Sequence, residues 1–330
     1  MVTSYYALSS ALLVFVLTAV GVRILLPRLQ RLHAGQTILE IGPSWHKSKE
    51  GTPTMGGLAP IAATLLGGSV LCIYAHAQGL EGEALGFLLA LLYALGNGLV
   101  GMVDDATKLA KKRNLGLTPP QKLLLQSALA LAYLALLRIW GLSGTAYRIP
   151  FTDLHLELGW AWYPLSLLFL LWFVNCANLT DGIDGLATSV ASVLGLFFAV
   201  LGSVASALSI SLVGGVLLGA GLGFLLYNRH PAKIFMGDTG SLFFGGLAIG
   251  GAFLWGSPLL LLLPGAVYLA EGLSVVLQVG YFKLSHGRRL FRMAPLHHHL
   301  EKCGWSEKRI TLVFSLVTLL GGALALWSAL

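Results

Sequence analysis

The sequence contains few charged residues. Only 11% of its 330 residues are Asp, Glu, Lys or Arg, whereas about a quarter of a typical soluble domain is charged. Hydrophobic residues make up 56% of the chain, and the mean hydropathy is +0.79. So large an apolar fraction cannot be enclosed beneath a polar surface, and it also excludes an intrinsically disordered chain. The composition therefore indicates an integral membrane protein.

Cysteine is also scarce. The three cysteines, Cys72, Cys176 and Cys303, are widely spaced, which excludes a disulfide framework and matches no metal-ligand pattern. We expect unpaired thiols that pack as small apolar side chains. The N-terminus lacks a basic region and a small-residue cleavage site, so we predict no removable signal peptide.

Long hydrophobic runs, in contrast, fill most of the chain. A transmembrane helix needs about 20 mostly apolar residues. Ten stretches reach roughly this length: 5–26, 55–77, 84–103, 121–142, 160–178, 186–204, 208–228, 240–257, 259–281 and 310–329. The connections between them are too short for a soluble domain. We therefore predict an all-α polytopic membrane protein, with about ten transmembrane helices in a single domain over residues 1–330.

The distribution of Lys and Arg orients these helices. Cytoplasmic connections of membrane proteins carry an excess of both residues. Of the 21 Lys and Arg residues, only Arg138 and Arg148 lie on the side of the even-numbered connections. We therefore predict that both termini lie outside and that the odd-numbered connections face the cytoplasm.

Several apolar segments contain residues with a special backbone or charge. Gly215, Gly219 and Gly223 recur every four residues, a spacing that lets helices approach closely in a membrane. In the ninth segment Pro264 predicts a break in the helix, and Glu271 places a carboxylate within the membrane. Such a carboxylate indicates a functional site, although packing against a neighbouring helix explains it equally well.

Five aspartates fall on the predicted cytoplasmic side, in three connections: Asp104, Asp105, Asp181, Asp184 and Asp238. Carboxylates favour hard cations, and Mg²⁺ is typically bound by one or two carboxylates together with substrate phosphates. Asp-Gly pairs also cap turns, but five aspartates on one face favour a metal–phosphate site.

The third segment ends at the adjacent pair Asp104 and Asp105. The helix dipole is unfavourable to anions at a C-terminus, and neighbouring carboxylates raise the affinity of one of them for a proton. Both effects favour a general base in this pair. The alternative is that one aspartate coordinates metal while the other caps the helix, and the choice stays open.

The last polar connection contains His297-His298-His299 after several arginines. Consecutive residues of a helix point about 100° apart, so the three histidines do not favour a zinc site. They are interpreted as donors to a phosphate or a sugar, while the arginines are also suited to anionic lipid headgroups. Phe235 could stack on a base or pack at the membrane interface.

Five separated motifs occur in one order along the chain: His46, Lys49 and Gly51 to Gly57; Val103-Asp104-Asp105; Asn178 to Ala187; Tyr227-Asn228, Pro231-Ala232 and Phe235 to Ser241; and Met293 to His299. In these motifs the sequence closely resembles the phospho-N-acetylmuramoyl-pentapeptide transferases, within the superfamily of polyprenyl-phosphate sugar-1-phosphate transferases. The resemblance covers nearly the whole chain. Leu39 departs from it, since many relatives have a basic residue there.

This resemblance implies ten transmembrane helices, a homodimer and a Mg²⁺-dependent active site that faces the cytoplasm. It implies that phospho-N-acetylmuramoyl-pentapeptide is transferred from UDP-N-acetylmuramoyl-pentapeptide to undecaprenyl phosphate, giving lipid I and UMP. It also implies a multi-pass protein of the bacterial inner (cytoplasmic) membrane. The expected partners are these two substrates and membrane lipids, with no nucleic acid.

The resemblance also suggests roles for individual residues. Asp238 corresponds to the magnesium ligand and Asp104 to the proposed base, which Asp105 would support; His298 is counted with them as catalytic. Substrate binding is expected from Lys49 and Asn178 at the phosphates, and from Asp184, Asn228 and Phe235 at the uridine. The same expectation covers Thr54, Asp181, His297, His298 and His299. Lys108 and Lys112 match no role.

Two other functions remain as alternatives. A transferase of N-acetylglucosamine-1-phosphate from its UDP derivative to a polyprenyl phosphate would use the same aspartates. A secondary transporter would place its polar residues near the middle of the membrane, between repeats, whereas here they cluster at one face.

Overall fold

A computed structural model describes residues 2–31, 49, 51–111 and 115–329 of the chain. Helices dominate this part of the protein. In chain order they are α1 (Val2–Arg31), α2 (Leu58–Ala77), α3 (Glu81–Ala110), α4 (Pro119–Ile139), α5 (Trp162–Leu179), α6 (Leu186–Val204), α7 (Leu208–Asn228), α8 (Gly237–Leu254), α9 (Ala266–Leu284), α10 (Leu296–Lys302) and α11 (Glu307–Ala329). His46, Leu39 and Lys112 lie outside the described residues.

Each of the ten predicted segments contains one long helix. Within the described residues, eight helices are long and apolar enough to cross a membrane: α1 to α7 and α11. The other two long helices, α8 and α9, contain Asp238 and Glu271. The prediction of an all-α polytopic membrane protein is therefore confirmed.

The prediction for the end of the third segment is wrong. The helix does not stop at Asp104 and Asp105 but continues to Ala110. Lys108 lies one turn beyond Asp104, and its Nζ is 2.6 Å from the Asp104 carboxylate. Lys108 stabilises the extension in two ways, by this pairing and by placing a positive charge in the last turn of the helix. The two aspartates consequently lie inside α3, not at its C-terminus.

Close helix packing is confirmed along α7, the most enclosed of the eight apolar helices. Gly215, Gly219 and Gly223 face the backbone of α1, and a Cβ atom at any of them would overlap atoms of α1. Small residues at such an interface allow van der Waals contact between backbones, which stabilises helix association in a membrane.

The expected break in the ninth segment is also confirmed. Residues Pro258–Leu262 form a short 3-10 turn, and α9 begins only at Ala266, after Pro264. Proline lacks a backbone N–H and cannot continue a helix from its own position without losing a hydrogen bond.

A small hairpin was not predicted from the sequence. Strands β1 (Ala146–Arg148) and β2 (His155–Glu157) pair antiparallel, with Tyr147 opposite Leu156. Each strand has only three residues, which is too short for a recognisable alternation of polar and apolar residues. The hairpin lies between α4 and α5, at the end of the bundle opposite the acidic residues described below.

Candidate active site

Asp105 joins two helices at the acidic end of the bundle. Its carboxylate oxygens accept hydrogen bonds from the backbone N–H groups of Asp238 (3.2 Å) and Thr239 (2.9 Å) and from the Thr239 hydroxyl (2.7 Å). These two N–H groups belong to the first turn of α8, where backbone donors have no partner within the helix. Asp105 therefore caps α8 from α3 and fixes the position of Asp238.

Gly237 makes this contact possible. Its φ is +70°, and a Cβ atom at this position would lie 2.5 Å from Asp105 Oδ2. Only glycine adopts such a conformation readily. Position 237 therefore requires glycine for two reasons, its backbone conformation and the lack of space for a side chain beside Asp105.

Asp238 is surrounded by cationic and amide donors from three other helices. Lys122 of α4 lies 2.9 Å and Lys108 of α3 lies 3.2 Å from Oδ2. Asn178 of α5 donates to Oδ1 at 2.9 Å and also to the Ser241 hydroxyl at 2.8 Å. The site is therefore assembled from α3, α4, α5 and α8.

Asp104 is buried beside this group. Its Oδ1 accepts the Leu117 N–H at 2.8 Å, and its Oδ2 lies 2.6 Å from Lys108 Nζ. The same ammonium group lies 3.8 Å from Asp105. Lys108 thus places one positive charge among three carboxylates, which would otherwise repel each other.

The residues fit a hard metal ion. Asp104, Asp105 and Asp238 each offer one oxygen, and these oxygens lie within 4.8 Å of one another. Oxygen donors of this kind suit Mg²⁺. Asp105 already uses both oxygens on α8, whereas Asp104 and Asp238 are paired with flexible lysine side chains. Asp104 and Asp238 are therefore the better placed to hold the ion.

Asp181 lies in the connection between α5 and α6, close to these charges. Burial raises the pKa of its carboxyl to about 8, and the negative charges of Asp238, Asp105 and Asp184 act in the same direction. The Asp181 carboxyl is therefore largely protonated at neutral pH in the metal-free protein.

A second charged cluster surrounds Asp184. Lys49 Nζ lies 2.7 Å from Asp184 Oδ1 and 2.7 Å from the Glu307 carboxylate. Glu307 also accepts the backbone N–H of Asp184 at 3.0 Å. His230 Nδ1 lies 3.1 Å from Asp184 Oδ2. Lys49 and Asp184, two predicted substrate ligands, therefore neutralise each other here.

The connection before α2 pairs with the connection before α8. Phe235 donates its N–H to Pro53 O at 2.8 Å, and its carbonyl accepts the Gly56 N–H at 2.9 Å. Phe235 is half-buried and Thr54 is buried. The structure thus brings both predicted ligands to one wall beside Gly237, and their contact with substrate stays a prediction.

Asn228 has an internal role in this structure. Its amide donates to Ile234 O at 2.9 Å and accepts the Thr188 hydroxyl at 2.7 Å, and the residue is 2% exposed. It holds the chain that leads to Phe235. A direct contact of Asn228 with uridine remains a prediction.

The three histidines point to different partners, as their spacing on α10 requires. His297 is buried against Glu271, and His298 Nδ1 lies 2.7 Å from Glu301. His299 Nδ1 accepts the Arg292 N–H at 3.2 Å. Glu271 therefore contacts the histidine helix, and its role was left open by the sequence.

An open groove of about 540 Å³ runs along the C-terminal half of α9, the half that is predicted to lie on the cytoplasmic side. Both apolar and basic side chains line it. Its lining consists of Val275, Gln278, Val279, Phe282, Lys283, Arg289, Arg292, Met293, Ala294 and Lys302.

Sequence reasoning missed several residues of the site. Lys108 could have been found, because it follows Asp104 by four residues on a helix. Lys122 and Glu307 carry no local signal, since their partners lie far away in the sequence: Lys122 pairs with Asp238, and Glu307 pairs with Lys49.

Comparisons with known proteins show the family to which the chain belongs. Residues 87–256 match the model of glycosyl transferase family 4. A phospho-N-acetylmuramoyl-pentapeptide-transferase of Bacillus subtilis is 42% identical over 97% of both chains. Relatives with the same name from Halalkalibacterium halodurans (42% identical over 97% of this chain and 96% of theirs) and Desulforamulus reducens (44% over 93% of each) are equally similar. At this identity and coverage, the chain belongs to the phospho-N-acetylmuramoyl-pentapeptide-transferase family.

Proposed function

We propose that this protein transfers phospho-N-acetylmuramoyl-pentapeptide from UDP-N-acetylmuramoyl-pentapeptide to undecaprenyl phosphate, releasing UMP and forming lipid I for peptidoglycan synthesis. The observation that carries the proposal is the group of Asp104, Asp238, Lys108 and Lys122 at one end of a bundle of this family. Carboxylates that can hold a cation, next to lysines that can bind phosphates, fit a reaction between two anionic substrates.

Charge repulsion is the main obstacle to this reaction. The acceptor is a phosphate monoester and the donor is a diphosphate, so both carry negative charge near the reacting phosphorus. Lys108 and Lys122 lie in position to bind phosphate oxygens once they leave Asp238, and preorganised cations of this kind stabilise a transition state more than they would in water. We assign Lys49 the same task once it leaves Asp184 and Glu307.

The site residues are suited to Mg²⁺, which Asp238 would hold, while Asp104 beside it serves as the base. When bound, the ion would neutralise charge on the transferring diphosphate. The protein's own part is to fix these carboxylates: Asp105 and Gly237 set the direction of Asp238, and the Leu117 N–H sets that of Asp104.

We propose direct displacement by the lipid phosphate. A phosphate monoester has its second pKa near about 6 and is mostly dianionic at neutral pH, so it needs little activation. One of its oxygens forms a bond to the β-phosphorus of the nucleotide, the bond from that phosphorus to the bridging oxygen breaks, and UMP leaves. Asp104 takes the residual proton of the acceptor, and Asp105 supports it by holding α8 in place.

An exchange experiment distinguishes this route from a covalent one. Labelled UMP is incubated with UDP-N-acetylmuramoyl-pentapeptide, Mg²⁺ and enzyme stripped of prenyl phosphate. Direct displacement gives no label in the UDP-sugar. Label that appears there, and disappears in Asp104→Asn, would mean that Asp104 is the nucleophile.

The location of the site follows the same logic. One substrate is a lipid and the other is soluble, so the site is expected at the boundary between membrane and cytoplasm. We propose that the termini lie outside, that the acidic end faces the cytoplasm, and that the protein is a homodimer in the bacterial cytoplasmic membrane. The groove along α9 would receive the prenyl chain against its apolar side chains.

The proposal is tested by offering the purified protein undecaprenyl phosphate, Mg²⁺ and one UDP-sugar at a time. We expect UMP release with UDP-N-acetylmuramoyl-pentapeptide and none with UDP-N-acetylglucosamine. UMP release with UDP-N-acetylglucosamine alone would instead assign the protein to transfer of N-acetylglucosamine-1-phosphate.

A further inference from the structure

Glu271 is a fully buried carboxylate of α9 that contacts a single residue of the histidine helix twice. Its Oε1 accepts the backbone N–H of His297 at 3.1 Å, and its Oε2 lies 3.0 Å from His297 Nδ1. Both residues are 0% exposed. These two contacts fix the orientation of the imidazole ring.

The opposite edge of this imidazole faces the connection between α5 and α6. A Cβ atom at position 182 would overlap His297 Nε2 and lie 2.7 Å from Cε1, so only glycine fits under the ring. Nε2 is buried and has no hydrogen-bond partner among the residues that the structure describes. The ring therefore acts on Gly182 by contact alone.

Gly182 lies between the two aspartates that this connection presents to the site. Asp181 is near enough to Asp105 of α3 and Asp238 of α8 for their charges to raise its pKa, and Asp184 contacts Lys49 and Glu307. Asp184 is held on its own side by hydrogen bonds. The middle of the connection has His297 as its support, and His297 in turn is held by Glu271.

We propose that Glu271 is a positioning residue for nucleotide binding: together with His297 it forms a wedge that supports Gly182 and thereby holds Asp181 and Asp184 where the UDP moiety binds. This inference rests on the proposed function. It assigns Glu271 a role in substrate affinity and none in the chemical step. The wedge links α9, which also lines the groove for the prenyl chain, to the nucleotide side of the site.

The test compares Glu271→Gln and Glu271→Ala with the wild-type enzyme. The amide retains one acceptor oxygen, so we expect a graded effect. KM for UDP-N-acetylmuramoyl-pentapeptide and Kd for UDP should rise about tenfold in the alanine variant, by analogy with outer-shell partners of metal ligands, and less in the glutamine variant. The kcat and the KM for undecaprenyl phosphate should stay within about twofold of the wild-type values.

Two further variants separate the wedge from simple capping of α10. His297→Asn keeps a donor near the position of Nδ1 but removes the ring edge over Gly182, and Gly182→Ala displaces the ring directly. Both should raise the Kd for UDP as Glu271→Ala does. If His297→Asn binds UDP like the wild type, Glu271 only caps the helix and the proposal is wrong.

Ser274→Ala is the matched control, because Ser274 is also buried in α9 and bonds only to the Glu271 carbonyl. It should leave the Kd for UDP unchanged. A fall in kcat at constant KM in the Glu271 variants would assign His297 to the chemical step and overturn the proposal. A lower melting temperature with unchanged kcat, KM and Kd would assign Glu271 to packing and would also overturn it. Absence of UMP release by the wild-type enzyme would overturn the proposed function, while the Kd for UDP would still test the wedge.

Discussion

Asp238 is the residue at which polar side chains from four helices meet. It receives two lysines and one asparagine, and its backbone N–H is held by Asp105. The two ammonium groups offset two of the three negative charges of Asp104, Asp105 and Asp238. In the proposed reaction these lysines would bind substrate phosphates, and a metal ion at Asp238 would supply the positive charge that they now supply.

Asp238→Asn should abolish turnover and leave the protein folded. A neutral amide is a much weaker ligand for Mg²⁺ than a carboxylate, yet it retains the size of the side chain and the bond to Asn178. The measurement is UMP release over a range of Mg²⁺ concentrations, with the melting temperature as the check of folding. Near-normal turnover at saturating Mg²⁺ would remove Asp238 from the metal site.

Asp181 should make stability depend on pH. Its folded pKa of about 8 lies above the ordinary value of 3.8, so the stability associated with its protonated form is complete below about pH 4 and is lost as the pH rises to 8. Asp181→Asn cannot ionise. In EDTA, the melting temperature of this variant relative to wild type should therefore increase from pH 5 to pH 9.

The control for this experiment is Asp153→Asn, which removes an exposed carboxylate at the hairpin end. Its difference from wild type should not change over this pH range. Mg²⁺ should reduce the effect of Asp181→Asn, because a cation nearby favours the ionised carboxylate. A pH-independent difference for Asp181→Asn would contradict the raised pKa.

Among the helices, the junction of α3 with α8 determines the shape of the site. Asp105 of α3 satisfies the first backbone donors of α8, and Asp104, its neighbour in sequence, faces Lys108 and Leu117. One aspartate of the pair thus holds the structure, and the other is the base in the proposed reaction. Adjacent residues of a helix point about 100° apart, which is why the pair divides these tasks.

Asp105→Ala should lower stability more than Asp104→Ala. It leaves two backbone N–H groups and one hydroxyl without an acceptor, and each unsatisfied buried donor costs about 1–3 kcal/mol. Asp104→Ala leaves one backbone N–H without an acceptor and removes one ion pair of Lys108, which keeps Asp105 and Asp238 as partners. Thermal unfolding in detergent measures the difference, with Asp105→Asn expected between Asp105→Ala and wild type. Equal melting temperatures for the two alanine variants would contradict the capping role.

The sequence predicts some of the helices and strands better than others. Hydrophobic runs locate the ten long helices, and Pro264 locates the break before α9, because both signals are local. The end of α3 is missed because the charged residues after Val103 resemble a loop in hydropathy, although a lysine four residues after an aspartate stabilises a helix. Strands of three residues contain too little pattern to be recognised.

The site is predicted where a motif carries its residues and missed where only the fold brings residues together. Asp104, Asp181 and Asp238 belong to the motifs shared with the family. Glu307 reaches Lys49 across 258 positions of sequence, and Glu271 reaches His297 across 26. No local pattern encodes such pairs, since they depend on how α9 and α11 pack beside the connections.

On the scale of the whole molecule, the two ends of the bundle differ in chemistry. One end carries the acidic cluster, the lysines and the histidine helix, while the other carries the hairpin and the exposed Trp160. Aromatic residues are common at a membrane–water interface, and cationic residues are common on the cytoplasmic side. This asymmetry gives the orientation a direct test.

Two exposed positions at opposite ends serve as probes of the orientation: Cys303, which follows α10, and Trp160, which precedes α5. In a variant with Cys72 and Cys176 replaced by alanine, a membrane-impermeant maleimide added to intact spheroplasts should leave Cys303 unlabelled. After Cys303→Ser and Trp160→Cys, the same reagent should label the protein, because the positive-inside distribution places that end outside. Permeabilised spheroplasts are the control, in which both variants should react. Labelling of Cys303 in intact spheroplasts would put the acidic site on the outer face, where a cytoplasmic nucleotide could not reach it, and would contradict both the orientation and the proposed donor substrate.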